Sequence, residues 1–159
     1  MTYPGITFRP ISPDDMSFLY RVYASTRLDE LAPLNWPQEQ LNAFLHSQFN
    51  AQHIYYQSHY AHAAFDLILL DEQAIGRLYI ERTESAVHII DIALLPEYRN
   101  RGIGSALLQD LLDEATVEHK VVQIYVEKFN PALHLYQRLG FRELKESGVY
   151  YFMEWSAVS

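Results

Sequence analysis

The chain reads as a single α/β domain, and three observations predict it. Apolar residues make up 49% of 159 positions, enough to build one full core. Strand-length apolar runs alternate with stretches of helical spacing from one end to the other. No internal repeat, low-complexity tract or linker interrupts them, so the domain is expected to span residues 6–156.

In chain order, residues 6–11 predict a first strand. Ser12-Pro13-Asp14-Asp15 has the chemistry of a helix start: Ser12 as N-cap, Pro13 at the first helical position and carboxylates in the first turn. That helix carries Phe18, Leu19, Val22 and Tyr23 on one side, and residues 27–34 read as a connecting loop. Trp36-Pro37 opens a second helix through Leu41, Phe44, Leu45 and Phe49 and on towards Tyr55. Trp36, Phe44, Phe49, Tyr55, Tyr56 and Tyr60 either line an acceptor pocket or form the core face of two helices, the commoner fate of any single ring.

Residues 63–70 and 74–82 predict a hairpin around Asp71-Glu72-Gln73. After a turn at Glu84-Ser85, residues 87–95 are apolar except at His88 and Asp91, as in a strand covered on both faces. Pro96, with no N–H to donate, ends that strand. From Ile103 the spacing becomes helical through Leu107, Leu108, Leu111, Leu112 and Ala115. Residues 121–126 form a β-branched run that reads as another buried strand. Asn130 as N-cap, Pro131 at the first position and Gly140 past the end bracket a short helix. Residues 141–146 and 149–155 then predict a last strand pair joined at Ser147-Gly148.

The informative stretch lies between the apolar strand and its helix. Arg99 to Gly104 places two glycines where the backbone must bend tightly and approach something. A helix opening on glycines offers unpaired N–H groups and the positive end of its dipole, which suits a phosphate or pyrophosphate. Arg99 and Arg101 add charge beside it. A Walker loop would need Lys-Ser/Thr after the second glycine, where Ser105-Ala106 stands, and Leu107 is too large for a dinucleotide fingerprint.

What remains, Leu94-x-Pro96-x-x-Arg99-x-x-Gly102-x-Gly104, resembles the acyl-coenzyme A signature of the GNAT superfamily of N-acetyltransferases. A second stretch, Asn130-Pro131-Ala132-Leu133-His134-Leu135-Tyr136 followed by Gly140-Phe141, resembles that family's other hallmark, in the usual order and at about the usual separation. The N-terminal third matches only in element order. The resemblance implies a mixed, mostly antiparallel twisted sheet of about seven strands. Helices cover both faces, and a V-shaped split opens between the central strand and the strand at Val121. It implies transfer of an acetyl group from acetyl-coenzyme A to a primary amine by direct attack in a ternary complex. The alternative is a non-catalytic acyl-coenzyme A-binding or sensing module on the same fold.

By the same resemblance, main chain around Asn100, Arg101, Gly102, Ile103, Gly104 and Ser105 would hold the pyrophosphate, with Arg99 beside it. Ile92, Ala93 and Leu94 would pair with the pantetheine arm as an added strand. The Leu94 N–H would stabilise the developing oxyanion. Asn130 and Leu133 would contact the arm, and Tyr136 would stand near the sulfur and protonate the leaving thiolate. An ammonium has no lone pair, so a base is also needed. Asp91, an isolated carboxylate in an apolar strand, is the first candidate, then Glu81, then His88. For Asp91 a purely structural pairing with a neighbour such as Arg77 stays open. Ser105 at a helix start fits capping and phosphate contact better than a nucleophile's role.

Composition narrows the field further. The formal net charge of −8 argues against a nucleic-acid partner and favours cationic acceptors. No apolar stretch approaches the ~20 residues of a membrane span. With no signal-peptide pattern and no cysteine, a cytoplasmic location is expected, without disulfides or an acyl-cysteine intermediate. His46, His53, His59, His62, His119 and His134 show no ligand spacing, so no metal is expected. Tyr150, Tyr151, Phe152 and Trp155 offer surface for a homodimer.

Overall fold

A computed structural model describes residues 3–157. Strand β1 (Ile6–Pro10) is followed by a 3-10 turn at Pro13–Asp15, where the Asp15 carboxylate accepts from the Ser12 N–H at 2.8 Å and its hydroxyl at 3.2 Å. Helix α1 (Met16–Leu31) therefore starts one turn later than Pro13 suggests. It also runs on through most of the expected 27–34 loop, because Arg-Leu-Asp-Glu-Leu is good helix sequence and only Pro33 stops it. Helix α2 spans Gln38–His59. Next come β2 (Ala64–Leu70), β3 (Gln73–Arg82), β4 (Ala86–Leu94), α3 (Ile103–Glu118), β5 (Val121–Glu127), α4 (Leu133–Leu139), β6 (Arg142–Ser147) and β7 (Tyr150–Trp155). Helix α4 begins later than expected. The Asn130 side chain receives the Ala132 N–H at 2.8 Å, closing a turn that Asn130-Pro131 makes before the helix proper.

The sheet has seven strands in the order β1-β2-β3-β4-β5-β7-β6, with β4 and β5 parallel and every other pair antiparallel. The mixed, mostly antiparallel architecture is thus as the sequence predicts. Residues paired across strands share a face. One face carries Leu78, Ile80, Val87, Ile89, Val122, Ile124 and Met153 against Ile103, Leu107, Leu108, Leu111, Leu112 and Ala115 of α3 and Tyr136 of α4. The other carries Leu67 against Leu19, Tyr23 and Leu31 of α1 and Leu45 and Phe49 of α2. Each leucine so buried contributes roughly 1.5–3 kcal/mol relative to exposure.

Two features of β4 open the middle of the sheet. Its pairing with β5 runs only from Ala86↔Val121 to Ile89↔Ile124, whereas its pairing with β3 continues to Leu94↔Gly76. Register also shifts between Tyr79↔Asp91 and Ile80↔Ile89, so Ile90 is an extra residue on β4. A bulge of this kind bends its strand and re-aims the residues beyond it. The two central strands part where the bulge lies.

Candidate active site

The cradle is built by the turn after β4. Asn100 and Gly102 both take left-handed backbone, φ 60° and 82°, residue types that tolerate it. The first turn bond of α3 runs from the Ala106 N–H to the Gly102 carbonyl, 3.0 Å, so the N–H groups of Ile103, Gly104 and Ser105 precede helical bonding. A Cβ placed on Gly102 or Gly104 would meet nothing within 4 Å. Open space in front of helix-opening amides fits a diphosphate group, and the residues present fit coenzyme A at this end.

The strand beside it is aligned for β-augmentation. The Leu95 N–H donates to the Ile75 carbonyl at 2.8 Å, and a Cβ on Gly76 would strike the Ala93 carbonyl. Ala93 and Leu95 therefore face β3, and by alternation Ile92 and Leu94 turn their polar groups towards the side that β5 has left. Arg99, expected beside the phosphate, is engaged by the protein itself. Its Nε donates to the Leu94 carbonyl at 3.0 Å and its Nη2 to Ser25 Oγ at 3.1 Å, tying the end of β4 to α1. Arg101 is exposed, with its guanidinium 5.3 Å from the Tyr98 ring centre.

Below the split, on the α1/α2 face, stands a polar cluster. Asp91 Oδ2 accepts from Arg77 Nη2 at 2.7 Å and from the Tyr56 hydroxyl at 3.3 Å, and the same Nη2 reaches Gln52 Oε1 at 2.8 Å. So Asp91 does pair with Arg77, the arrangement left open by the sequence. Burial and the Asp91 charge both hold the Tyr136 phenol well above its ordinary range, so it stays protonated at neutral pH. Tyr136 is buried on α4, edge-on to Phe141 at 5.6 Å. Tyr150, at the start of β7, is raised too, by burial first and then by neighbours that include Glu127 and Asp91.

Asp91 and Tyr136 are thus brought within electrostatic reach of one another. Glu81 is not: it pairs with His88 at the closed end, roughly 20 Å along the strand from Leu94. His88 is half-buried, between Tyr60 at 5.8 Å and Tyr125 at 6.0 Å, and burial lowers its pKa against a smaller upward pull from Glu81. Asn130 is exposed, with its oxygen committed to the Ala132 N–H, and Leu133 is partly buried beside it. The aromatic stretch divides. Phe49 is core and Phe44 packs against that core, Tyr56 and Tyr60 face the sheet near Asp91 and His88, and Tyr55 is exposed. Sequence reasoning missed Gln52, and Ser25 of α1 as the partner of Arg99, because neither lies in a motif or breaks a pattern.

Comparison with known proteins fits this geometry. Residues 26–141 match the model of the acetyltransferase (GNAT) family. The chain is 39% identical over 67 residues to an N-alpha-acetyltransferase of Sulfurisphaera tokodaii, a match covering 40% of each protein. It is 29% identical over 103 residues to one of Saccharolobus solfataricus, covering 55% of this chain and 62% of that protein. Both matches therefore span under two thirds of those curated relatives. A PaiA N-acetyltransferase of Thermoplasma acidophilum, solved in complex with coenzyme A, shares the fold with a TM-score of 0.69 and 20% identity, over 95% of this chain and 98% of that one. A GNAT acetyltransferase of Elizabethkingia anophelis with acetyl-CoA bound gives 0.56 and 18% identity, over 97% and 99%. With more than half the chain matched by the family model, and with the split sheet and glycine cradle in place, the chain belongs to the GNAT family of acetyltransferases.

Proposed function

We propose that the protein transfers an acetyl group from acetyl-coenzyme A to a primary amine, a peptide N-terminus being the acceptor that the named relatives favour. The observation that carries this reading is the unpaired stretch of β4 ending at the open amides of α3. An extended arm paired to Ile92 and Leu94 would run from a diphosphate at Arg101–Ser105 towards Asp91 and Tyr136. The co-substrate supplies the activated thioester. The chain supplies the rest.

The Leu94 N–H faces the developing oxyanion. The amine nitrogen forms the new C–N bond as the C–S bond breaks, and Tyr136, protonated at neutral pH, donates to the departing thiolate. The proton lost by the amine leaves to water at the open split, since His88 and Glu81 both lie at the closed end of the strand. An α-amino group of pKa ~8 gives up that proton near neutral pH far more readily than a lysine of ~10.4, which also favours a chain terminus.

The test combines two variants. Gly104→Val should leave the unliganded melting temperature within about 2 °C, since its Cβ meets open space, but abolish the stabilisation that coenzyme A gives the parent. Tyr136→Phe should keep that stabilisation and lose about 100-fold or more in amine-dependent thiol release. Tyr136→Phe with full turnover removes the acid from the mechanism. Parent protein that binds coenzyme A but acetylates no amine is a sensing module instead.

A further inference from the structure

Arg77 presents an unexplained feature. It is a charged side chain buried in the core at 3% exposure, and its Nε and the Tyr79 hydroxyl have no hydrogen-bond partner among the described residues. A buried ion pair adds little net stability over apolar side chains of similar size, while an unpaired buried charge is strongly unfavourable. What the pair supplies that two apolar residues would not is a fixed, charged oxygen at the split.

The geometry directs that oxygen. Arg77 is clamped from behind, with its guanidinium 5.0 Å from the Tyr79 ring centre and Nη2 shared between Gln52 and Asp91. Both donors to Asp91, Arg77 Nη2 and the Tyr56 hydroxyl, go to Oδ2. Oδ1 receives neither, and the Asp91 side chain keeps 16% exposure where Arg77 keeps 4%. The positive partner thus lies deeper than the negative one, which is partly exposed just past the bulge where β4 leaves β5. A cation approaching the split meets the carboxylate first and is several ångströms further from the guanidinium, so attraction outweighs repulsion.

We propose that Asp91 is the receptor for the acceptor's ammonium group and that Arg77, braced by Gln52 of α2, is the positioning residue that holds it there. The inference rests on the amine-acceptor reading above. It gives Asp91 the work of seating the substrate and leaves proton removal to water at the split. It also makes α2 part of the recognition apparatus through Gln52 and Tyr56, although neither side chain need touch the acceptor.

Calorimetric binding of a short peptide with a free N-terminus, in the presence of coenzyme A, tests this without turnover. Parent protein should bind it. Asp91→Asn should weaken binding about tenfold or more, the loss expected when a charge-assisted bond is removed. Arg77→Met should do the same, and Arg77→Lys should recover part of it. An N-acetylated form of the peptide should bind poorly to all of them, and coenzyme A affinity should not change in any. Because Arg77→Met leaves a buried carboxylate unpaired and threatens folding, Arg77→Met with Asp91→Leu serves as the folded control. It should bind coenzyme A normally and the peptide weakly. Peptide affinity unchanged in Asp91→Asn, or lost in parallel with coenzyme A affinity, overturns the inference, as does a parent that does not discriminate the free amine from the acetylated one. Peptide binding without subsequent thiol release from acetyl-coenzyme A would sustain it and overturn the transfer reaction instead.

Discussion

At the scale of single residues, the fold displaces the ionisation of several groups. His88 shows this best. Tyr60, Tyr125 and Glu81 face it, and burial lowers its pKa more than Glu81 raises it. His53 is lowered in the same direction, by burial and then by Arg77. With folded values below the unfolded ~6.5, the unfolded chain holds more protons in the interval between them. Stability is therefore full above pH ~6.5 and falls as pH drops through that interval, until the folded imidazole also charges. Melting temperature measured from pH 8 to 5 should decline below about 6.5, and His88→Gln should flatten part of the decline. The same variant should keep most of its turnover at neutral pH, because His88 lies at the closed end of the strand. A decline as steep without His88 would assign the effect elsewhere. Sequence alone could mark His88 and Asp91 as interruptions of an apolar strand, and Tyr136 as a motif residue. It could not separate their roles, because those depend on Arg77, Gln52 and Glu81, which only the folded sheet brings alongside.

At the scale of elements, the chemistry depends on how closely β3 approaches β4. Gly76 is what permits it. A Cβ there would strike the Ala93 carbonyl and come within 3.0 Å of the Leu94 Cα, both backbone and unable to move aside. Gly76→Ala should therefore cost about 1–3 kcal/mol, as overpacking does, readable as a lower denaturant midpoint. It should also raise the Michaelis constant for acetyl-coenzyme A, since pushing Leu94 outwards would spoil the edge proposed for the arm. A destabilised variant with unchanged co-substrate affinity would show that Leu94 is not part of that edge. Element identity was legible because α3, β4 and β5 write their burial into local periodicity. Boundaries fared worse where two local signals compete. Residues 27–34 read as a loop before Trp36-Pro37, yet the helix persists to Leu31, and Asn130-Pro131 imitates a helix start while closing a turn. The bulge at Ile90 has no glycine to announce it and arises from the pairing of β4 with β3.

At the scale of the whole molecule, the proposed reaction would require an acidic protein to attract a cation and a polyanion to adjoining sites. The formal net charge is −8, and no helix among the described residues is long and apolar enough to cross a membrane. On the proposed reaction, the long-range field would draw an ammonium acceptor inward and oppose coenzyme A, whose capture would fall to short-range amides at the head of α3 and to Arg101. Mobile ions screen the first influence over ~10 Å at 0.1 M and leave hydrogen bonds at contact distance largely intact. Raising salt from about 20 to 500 mM should thus weaken the two substrates unequally. The Michaelis constant for a cationic acceptor should climb several-fold, and that for acetyl-coenzyme A should hold or fall as the repulsion is screened. Initial-rate measurements in each substrate across that range decide the matter. Equal losses for both would mean that the co-substrate is held by exposed cations. The cradle would then be an electrostatic clamp around Arg101, and the amides of Ile103, Gly104 and Ser105 would be incidental to it.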